Sequence, residues 1–167
     1  MQLGLKRSAS MVVLRHQDQW LLLRRSKSPN KGKYVPVGGK LEPFESPRQA
    51  ALRETAEETG IEVTELHYAG FIVESAPNSY NWQVFVYWAE IPWQPAPYCD
   101  EGELEWIKTA DVLALDMPAT DPWVYYYIQQ GHCFAIDASF DENLNLLSMR
   151  EEHNGVDLLG LDMPELV

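Results

Sequence analysis

Cysteine is scarce in this chain. Cys99 and Cys133 are the two present, they lie far apart, and they belong to no Cys-x-x-Cys pair. That spacing argues against a disulfide framework and against a zinc site, and it fits a reducing, cytoplasmic setting. Positive charge is short as well: 13 Lys and Arg face 25 Asp and Glu, for a formal net charge of -12. Such a balance argues against a nucleic-acid polymer or an anionic membrane as the main partner. A small anionic substrate remains open, provided that a cation stands between it and the protein. The N-terminal stretch MQLGLKRSASMVVLRHQDQWLLLRR has no long apolar core and no small-residue cleavage site. Neither a signal peptide nor a membrane span is expected from it.

What is present is an ordinary globular composition. Hydrophobic residues make up 46% and charged residues 23% of 167, enough for one domain with a sizeable core. Residues 1–150 carry the patterning of a single domain. Residues 151–167 are acidic and weakly patterned, and are expected as a loosely ordered tail. Ala9–Arg15 and Gln19–Arg24 read as strands around a polar break, and Ser26–Lys33 as a loop. Leu66–Val73 and Gln83–Ile91 read as further strands. The second is apolar on both faces, which marks a central strand covered on both sides. A short strand is expected at Leu104–Lys108, and a closing hairpin from Phe134–Ala138 and Leu144–Met149. Two helices are expected. One runs from Ser46 to Thr59, with Ser46 as N-cap, Pro47 in the first turn, Gln49 completing a capping box and Gly60 as the stop. The other follows Asp121-Pro122, with Asp121 as its N-cap, and ends at Gly131. Strands before, between and after two helices imply an α/β fold with a mixed sheet between helices.

The first helix carries three closely spaced carboxylates, Glu54, Glu57 and Glu58. At about 100° per residue they span an arc of about 100°. Ala50 and Ala51 fall on the same side, which would leave that face open. Leu52, Ala56 and Thr59 fall opposite, towards the sheet. Like charges at three- and four-residue spacing cost about 0.2–0.5 kcal/mol per pair, so the helix tolerates them even as a solvated acidic face. Gly38 and Gly39 precede the helix by a short loop and allow close approach of backbone to a ligand. Oxygen donors without His or Cys select Mg²⁺ or Mn²⁺ rather than zinc. Arg53 can hold a carboxylate in a two-pronged contact, and Glu45 is the expected partner.

The run GGKLEPFESPRQAALRETAEETGI resembles the Nudix box, G-x5-E-x7-R-E-U-x-E-E-x-G-U, where U is aliphatic. Gly39, Glu45, Arg53-Glu54, Glu57-Glu58 and Gly60-Ile61 match it. Thr55 departs from it at the first U position. The resemblance implies an α/β/α sandwich and Mg²⁺-dependent hydrolysis of a nucleoside diphosphate linked to another group, with Mn²⁺ as a substitute. It implies Glu54, Glu57 and Glu58 as metal ligands and base candidates, the Gly38 carbonyl as a further ligand, and Arg53 with Glu45 as a supporting pair.

VPVGGKLEP is similar to the box opening of MutT-like and 8-oxo-dGTP diphosphatase members, and a weaker likeness runs through DEGELEWI, DMPATDPW and the closing hairpin. That likeness implies Glu101 as a further metal ligand, with Glu103 as the alternative. It also implies conversion of a nucleoside triphosphate, such as 8-oxo-dGTP or dGTP, to the monophosphate and pyrophosphate. The base-reading positions of that subgroup match poorly: Val35 stands where an asparagine is found, and Met117-Pro118-Ala119-Thr120 where a Trp-Pro-Asp-Asp run is found. Asp121 follows that run. Phosphate oxygens could be met by Arg24 or Arg25, and the substrate by Lys40, Gly38, Gly39 and Asp121. Tyr34, Trp82, Trp88 and Trp123 could stack on a base. Two rivals stand beside this reading. One keeps the chemistry and takes a sugar nucleotide or dinucleoside polyphosphate. The other is a Nudix-fold ligand sensor without catalysis, against which the intact glutamate set argues. The expected partner is a small nucleotide, bound by a monomer or a homodimer.

Overall fold

The computed structural model describes residues 3–167. Strands β1 (Arg7–His16) and β2 (Gln19–Arg25) form the first hairpin around Gln17 and Asp18. β3 (Tyr34–Val35) and β4 (Val37–Lys40) follow the loop, then α1 (Pro47–Thr59). Next come β5 (His67–Ser75), β6 (Trp82–Glu90), β7 (Tyr98–Cys99) and β8 (Gly102–Lys108). A 3-10 turn at Thr109–Ala114 leads to α2 (Asp121–Gln130), and β9 (Phe134–Phe140), β10 (Leu146–Glu151) and β11 (Val156–Asp157) close the chain.

The strands make one mixed sheet in the order β11-β10-β9-β5-β6-β1-β2-β8-β7, with β3 on β2 and β4 on β1. β1–β6 and β5–β9 are parallel pairs, and the remaining pairs are antiparallel. β6 is central, as its apolar faces demanded. Val86 joins one core cluster with Trp20, Val124, Tyr125 and Ile128 of the α2 side. Tyr87 joins the other, with Leu21, Leu23, Val37 and Ala51 of the α1 side. Helices on both faces of a mixed sheet make the α/β/α sandwich.

Two expectations are corrected by packing. The sheet-facing stripe of α1 is Ala51, Thr55, Glu58 and Thr59, all buried, while Ala56 faces solvent. Thr55 is tolerated at a core position because its hydroxyl donates to the Ala51 carbonyl at 2.8 Å. Residues 151–167, expected to be loose, instead lie against the domain. Leu158 is 2% and Leu166 6% exposed in the α2-side core. The Val167 backbone makes two hydrogen bonds with the Gln129 side chain, at 2.7 and 3.0 Å. The apolar spacing Leu158…Leu166 is too sparse to mark an element, yet the two leucines anchor the strap that continues beyond the short strand β11.

Candidate active site

The site begins where β4 pairs with β1, Gly38 opposite Met11 and Gly39 opposite Ser10. Gly38 has φ 154°, and a Cβ there would overlap the Ser10 carbonyl and lie 2.8 Å from Met11 Cα. At Gly39 a Cβ would run into the Glu54 carboxylate. Glycine is thus what lets α1 lie this close to the strand. The helix start is fixed by the expected capping box, Gln49 N–H to Ser46 Oγ at 3.2 Å and Ser46 N–H to Gln49 Oε1 at 2.8 Å. Ser10 Oγ donates to the Pro47 carbonyl at 2.7 Å and ties that start to β1.

Arg53 is the hub of the box. It donates to both Glu45 oxygens at 2.8 and 2.9 Å, to Glu54 at 2.7 Å, to Glu57 at 3.3 Å and to the Lys40 carbonyl at 3.1 Å. The guanidinium holds the Glu45 carboxyl down to about 2. Glu58 is different: it is 8% exposed, and its Oε2 accepts the Gly38 N–H at 2.7 Å. Burial pushes it up to about 7. The Gly38 N–H opposes that rise, the Glu54 and Glu101 charges add to it, and Arg25 opposes it. Glu101, on the turn between β7 and β8, pairs with Lys27 at 3.1 Å and Arg25 at 3.6 Å.

Glu54, Glu57, Glu58 and Glu101 line one end of a single cleft of about 1090 Å³, together with Gly38, Gly39, Lys40 and Arg25. Among the described residues, no three His, Cys, Asp or Glu side chains are gathered as a ready-made metal cluster. Glu54 and Glu57 are drawn to Arg53, and Glu101 to its two cations. The donors are nevertheless all hard oxygens, and the buried Glu58 is crowded by two further negative charges. A divalent cation of the Mg²⁺ type relieves that crowding, so the residues fit one.

The sequence profile of the NUDIX domain matches residues 4–128. The chain belongs to the Nudix family. Its members are hydrolases acting on pyrophosphate bonds, and so is this protein. YvcI, a Nudix hydrolase of Bacillus subtilis, is 32% identical over 124 residues, which are 71% of this chain and 77% of YvcI. An NAD-capped RNA hydrolase of Schizosaccharomyces pombe is 45% identical over 58 residues, 35% of this chain and only 15% of that protein. In fold the chain is similar to a MutT protein of Bacillus halodurans, with TM-score 0.78 and 28% identity over 88% of this chain and 98% of that one.

Against this Nudix frame, four expected substrate contacts fall elsewhere. Successive residues of a strand face opposite sides of the sheet. Arg25 lines the cleft, whereas Arg24 pairs with Glu103 at 2.5 Å and Glu105 at 3.6 Å outside it. Tyr34 is not among the cleft residues either: its hydroxyl donates to Glu105 at 3.2 Å. Glu103 belongs to that outer group and is no alternative to Glu101. Trp88 is stacked on His67 and covered by Arg15, and Trp123 is core. Trp82 does line the cleft, with the Arg7 guanidinium 4.2 Å from its ring centre.

Asp121 lines the half of the cleft away from the box, but as the first residue of α2 rather than its cap; Thr120 holds the N-cap position. Asp121 is 2% exposed and its Oδ2 has no hydrogen-bond partner. Glu74, Tyr80 and Thr120 line the same half and escaped the sequence reading. The signal for Glu74 was there: a charged residue ending the apolar run GFIV of a central strand is seldom buried without a purpose.

Proposed function

We propose that this protein is a Mg²⁺-dependent nucleoside triphosphate pyrophosphohydrolase of the MutT type, releasing the monophosphate and pyrophosphate from substrates such as dGTP and 8-oxo-dGTP. The observation that carries this is the division of the cleft. One end gathers Glu54, Glu57, Glu58, Glu101, Arg25 and the glycine backbone, and the other is lined by Ile72, Val84 and Trp82 with a few buried polar groups. Charge at one end and an apolar, aromatic wall at the other suit a phosphate chain attached to a base.

In this reading Glu54, Glu57, Glu58 and Glu101 with the Gly38 backbone hold Mg²⁺ or Mn²⁺. When bound, the ion neutralises phosphate charge and polarises the bond under attack. Arg25 and Lys40 meet phosphate oxygens, and the Arg53–Glu45 pair keeps the β4 loop against α1. A box carboxylate takes the proton from the attacking water. The face of Trp82 offers the base a stacking surface.

A second reading, a dinucleotide joined through its diphosphate, is favoured by the match to the NAD-capped RNA hydrolase. That match spans only 58 residues. A hydrolysis screen decides between them: dGTP, 8-oxo-dGTP, dATP, dCTP, NAD, ADP-ribose and a dinucleoside polyphosphate with Mg²⁺, products identified by mass. Triphosphates turned over to monophosphate and pyrophosphate, with loss of turnover in excess chelator, are expected. Exclusive cleavage of the dinucleotides would replace the first reading by the second. Undiminished turnover in chelator would sink the metal assignment.

A further inference from the structure

Arg7 opens β1 and lines the cleft. It pairs across the sheet with Trp82 of β6, and Trp82 in turn pairs with Glu74 of β5. The Arg7 guanidinium lies over the Trp82 ring, 4.2 Å from its centre, and its Nη2 donates to the Ser79 carbonyl at 2.9 Å. The loop that carries Ser79 is itself braced. The Asn81 side chain, buried, donates to the Ala76 and Asn78 carbonyls at 3.0 and 2.9 Å. A long, flexible side chain is thus fixed in place before any ligand arrives. Its charge is left uncompensated: among the described residues no carboxylate pairs with it, in a chain that has 25 Asp and Glu. Glu74 lies one strand beyond Trp82, and its oxygens are taken by Tyr80 OH at 2.9 Å and Thr120 Oγ1 at 3.2 Å. The Arg7 Nε is buried without any hydrogen-bond partner. A guanidinium held in a cleft by an aromatic ring and one carbonyl, and neutralised by nothing, is prepared for an anion.

We propose that Arg7 is a subsite for a phosphate carried on the ribose of the substrate, so that the cleft takes nucleotides phosphorylated on the sugar as well as at the 5′ position. This rests on the reading of the protein as a nucleotide hydrolase with the 5′ phosphates at the box and the base on the Trp82 wall, and it names a substrate class for that site. Position argues against the 5′ chain as the ligand of Arg7. Lys40 of β4 stands opposite Ala9 of β1, and Arg7 lies two residues, about 7 Å, farther along β1. Arg25 and Glu101 lie on the other flank of the box, where β2 meets β8. A phosphate chain that runs from the box towards Arg25 runs away from Arg7. The nucleoside occupies the Arg7 side, so an anion that reaches the guanidinium there hangs from a 2′ or 3′ oxygen. Planar guanidinium donors match phosphate oxygens, and an arginine beside the ribose is also how a dinucleotide site accepts a 2′-phosphate. Ser79 lines the cleft at the same point, and its hydroxyl is a further donor. A phosphodiester of nucleic acid has one charge fewer and continues into a polymer, which the net charge of -12 opposes. The ligand is therefore the monoester of a free nucleotide.

The test is calorimetric binding, with Mg²⁺ present, of AMP, adenosine 2′,5′-bisphosphate, adenosine 3′,5′-bisphosphate and the 5′-phosphorylated dinucleotide pApA. In the wild type at least one bisphosphate should bind about tenfold or more tightly than AMP. Arg7→Gln keeps a planar side chain against Trp82 and removes the charge, and should bind that bisphosphate and AMP within about twofold of each other. Ser79→Asp sets a carboxylate beside Arg7 from an exposed loop, and should erase the gain in the same way. Arg25→Gln should weaken AMP and the bisphosphates alike and leave the gain intact. Equal binding of AMP and both bisphosphates by the wild type would overturn the inference. So would a gain that survives in Ser79→Asp, whether or not Arg7→Gln folds. The dinucleotide should gain less than the bisphosphate; a gain as large would give the subsite to a nucleic-acid end and overturn its assignment to a free nucleotide. Triphosphate turnover without any bisphosphate gain defeats the subsite alone. A bisphosphate gain in a protein that hydrolyses no nucleoside triphosphate defeats the proposed reaction and leaves the subsite standing.

Discussion

The Arg53 guanidinium meets the Glu45 carboxylate with two nearly equal contacts, Nε to Oε1 at 2.8 Å and Nη2 to Oε2 at 2.9 Å. The same guanidinium reaches the Lys40 carbonyl and Glu54. One side chain thus fastens the end of β4, the loop before α1 and a box carboxylate to each other. Planar, two-pronged geometry is what lysine could not supply at this position.

Arg53→Ala and Glu45→Ala should each lower turnover, and the double variant should lower it little further. Removing either partner frees the same loop, so the effects cannot add. Kinetics of the three variants form the cycle, and strictly additive losses would end the supporting role. The pair should also survive acid. Glu45 is depressed to about 2 by the Arg53 hydrogen bonds. A depressed carboxylate contributes stability above its unfolded value, and loses it as pH falls through the folded one. The Glu45→Ala effect on unfolding should therefore persist at pH 4 and fade only as pH approaches 2.

Glu58→Gln should separate function from stability. Turnover should fall by about 10²-fold or more, because a charge needed for metal or proton is removed while shape is kept. Stability in chelator should move the other way. Glu58 is raised to about 7 by burial, so the native state holds its proton more firmly than the unfolded chain does. The wild type then loses stability as pH rises from about 4.5 to 7 and loses no more above that. At pH 8 the variant should be more stable by about 2–3 kcal/mol, and at pH 4 equal. Urea unfolding at the two pH values checks this, and a variant no more stable at pH 8 would show that Glu58 ionises without cost.

Leu158→Ala should destabilise the protein by about 2–5 kcal/mol, the usual cost of emptying a buried leucine site. Truncation after Arg150 should cost at least as much, since it also removes Leu166 and Glu151, whose carboxylate accepts the backbone N–H groups of Ala135, His153 and Asn154. A truncated chain as stable as the full one would mean that residues 151–167 add nothing to the core.

What could be read in the sequence was local. The capping box and Gly60 follow from spacing along one helix, and the pairing of Arg53 with Glu45 from the short stretch that leads into it; each is present. The central position of β6 followed from apolar residues on both of its faces. Side-chain direction at the edges was harder. Arg24 and Arg25 are adjacent, and only the register of β2 against β8, Arg24 opposite Glu103 and Arg25 opposite Gly102, decides which of them faces the box. The Glu74–Asp121 pair was out of reach for a further reason: its members are 47 residues apart, and only the parallel pairing of β5 with β9 after α2 brings the two elements together. Asp121 looked like a cap because its neighbour Pro122 suits a first turn. The helix starts one residue earlier than that reasoning assumed, and this turns the carboxylate inward.

Arg25→Ala should reduce kcat/KM for a nucleoside triphosphate by about tenfold or more, and Arg24→Ala by no more than about threefold. The two residues have the same chemistry and are neighbours in sequence, so they control for each other in net charge. Arg25 lines the cleft beside Glu58 and Glu101, and its Nε is anchored on the Pro29 carbonyl at 2.8 Å. Its loss removes a cation from the phosphate end, and also one that favours the ionised form of Glu58. Arg24 faces away, and its exposed pairing with Glu103 has little to offer stability. Two readouts separate binding from chemistry. If Arg25 meets the phosphates equally in ground and transition states, KM should rise with little change in kcat; if it acts on charge that develops during attack, kcat should fall. Either result places Arg25 at the phosphates. Equal losses in the Arg24 and Arg25 variants would mean that only the overall field of the protein is felt, and the assignment of Arg25 to the cleft chemistry would have to be abandoned.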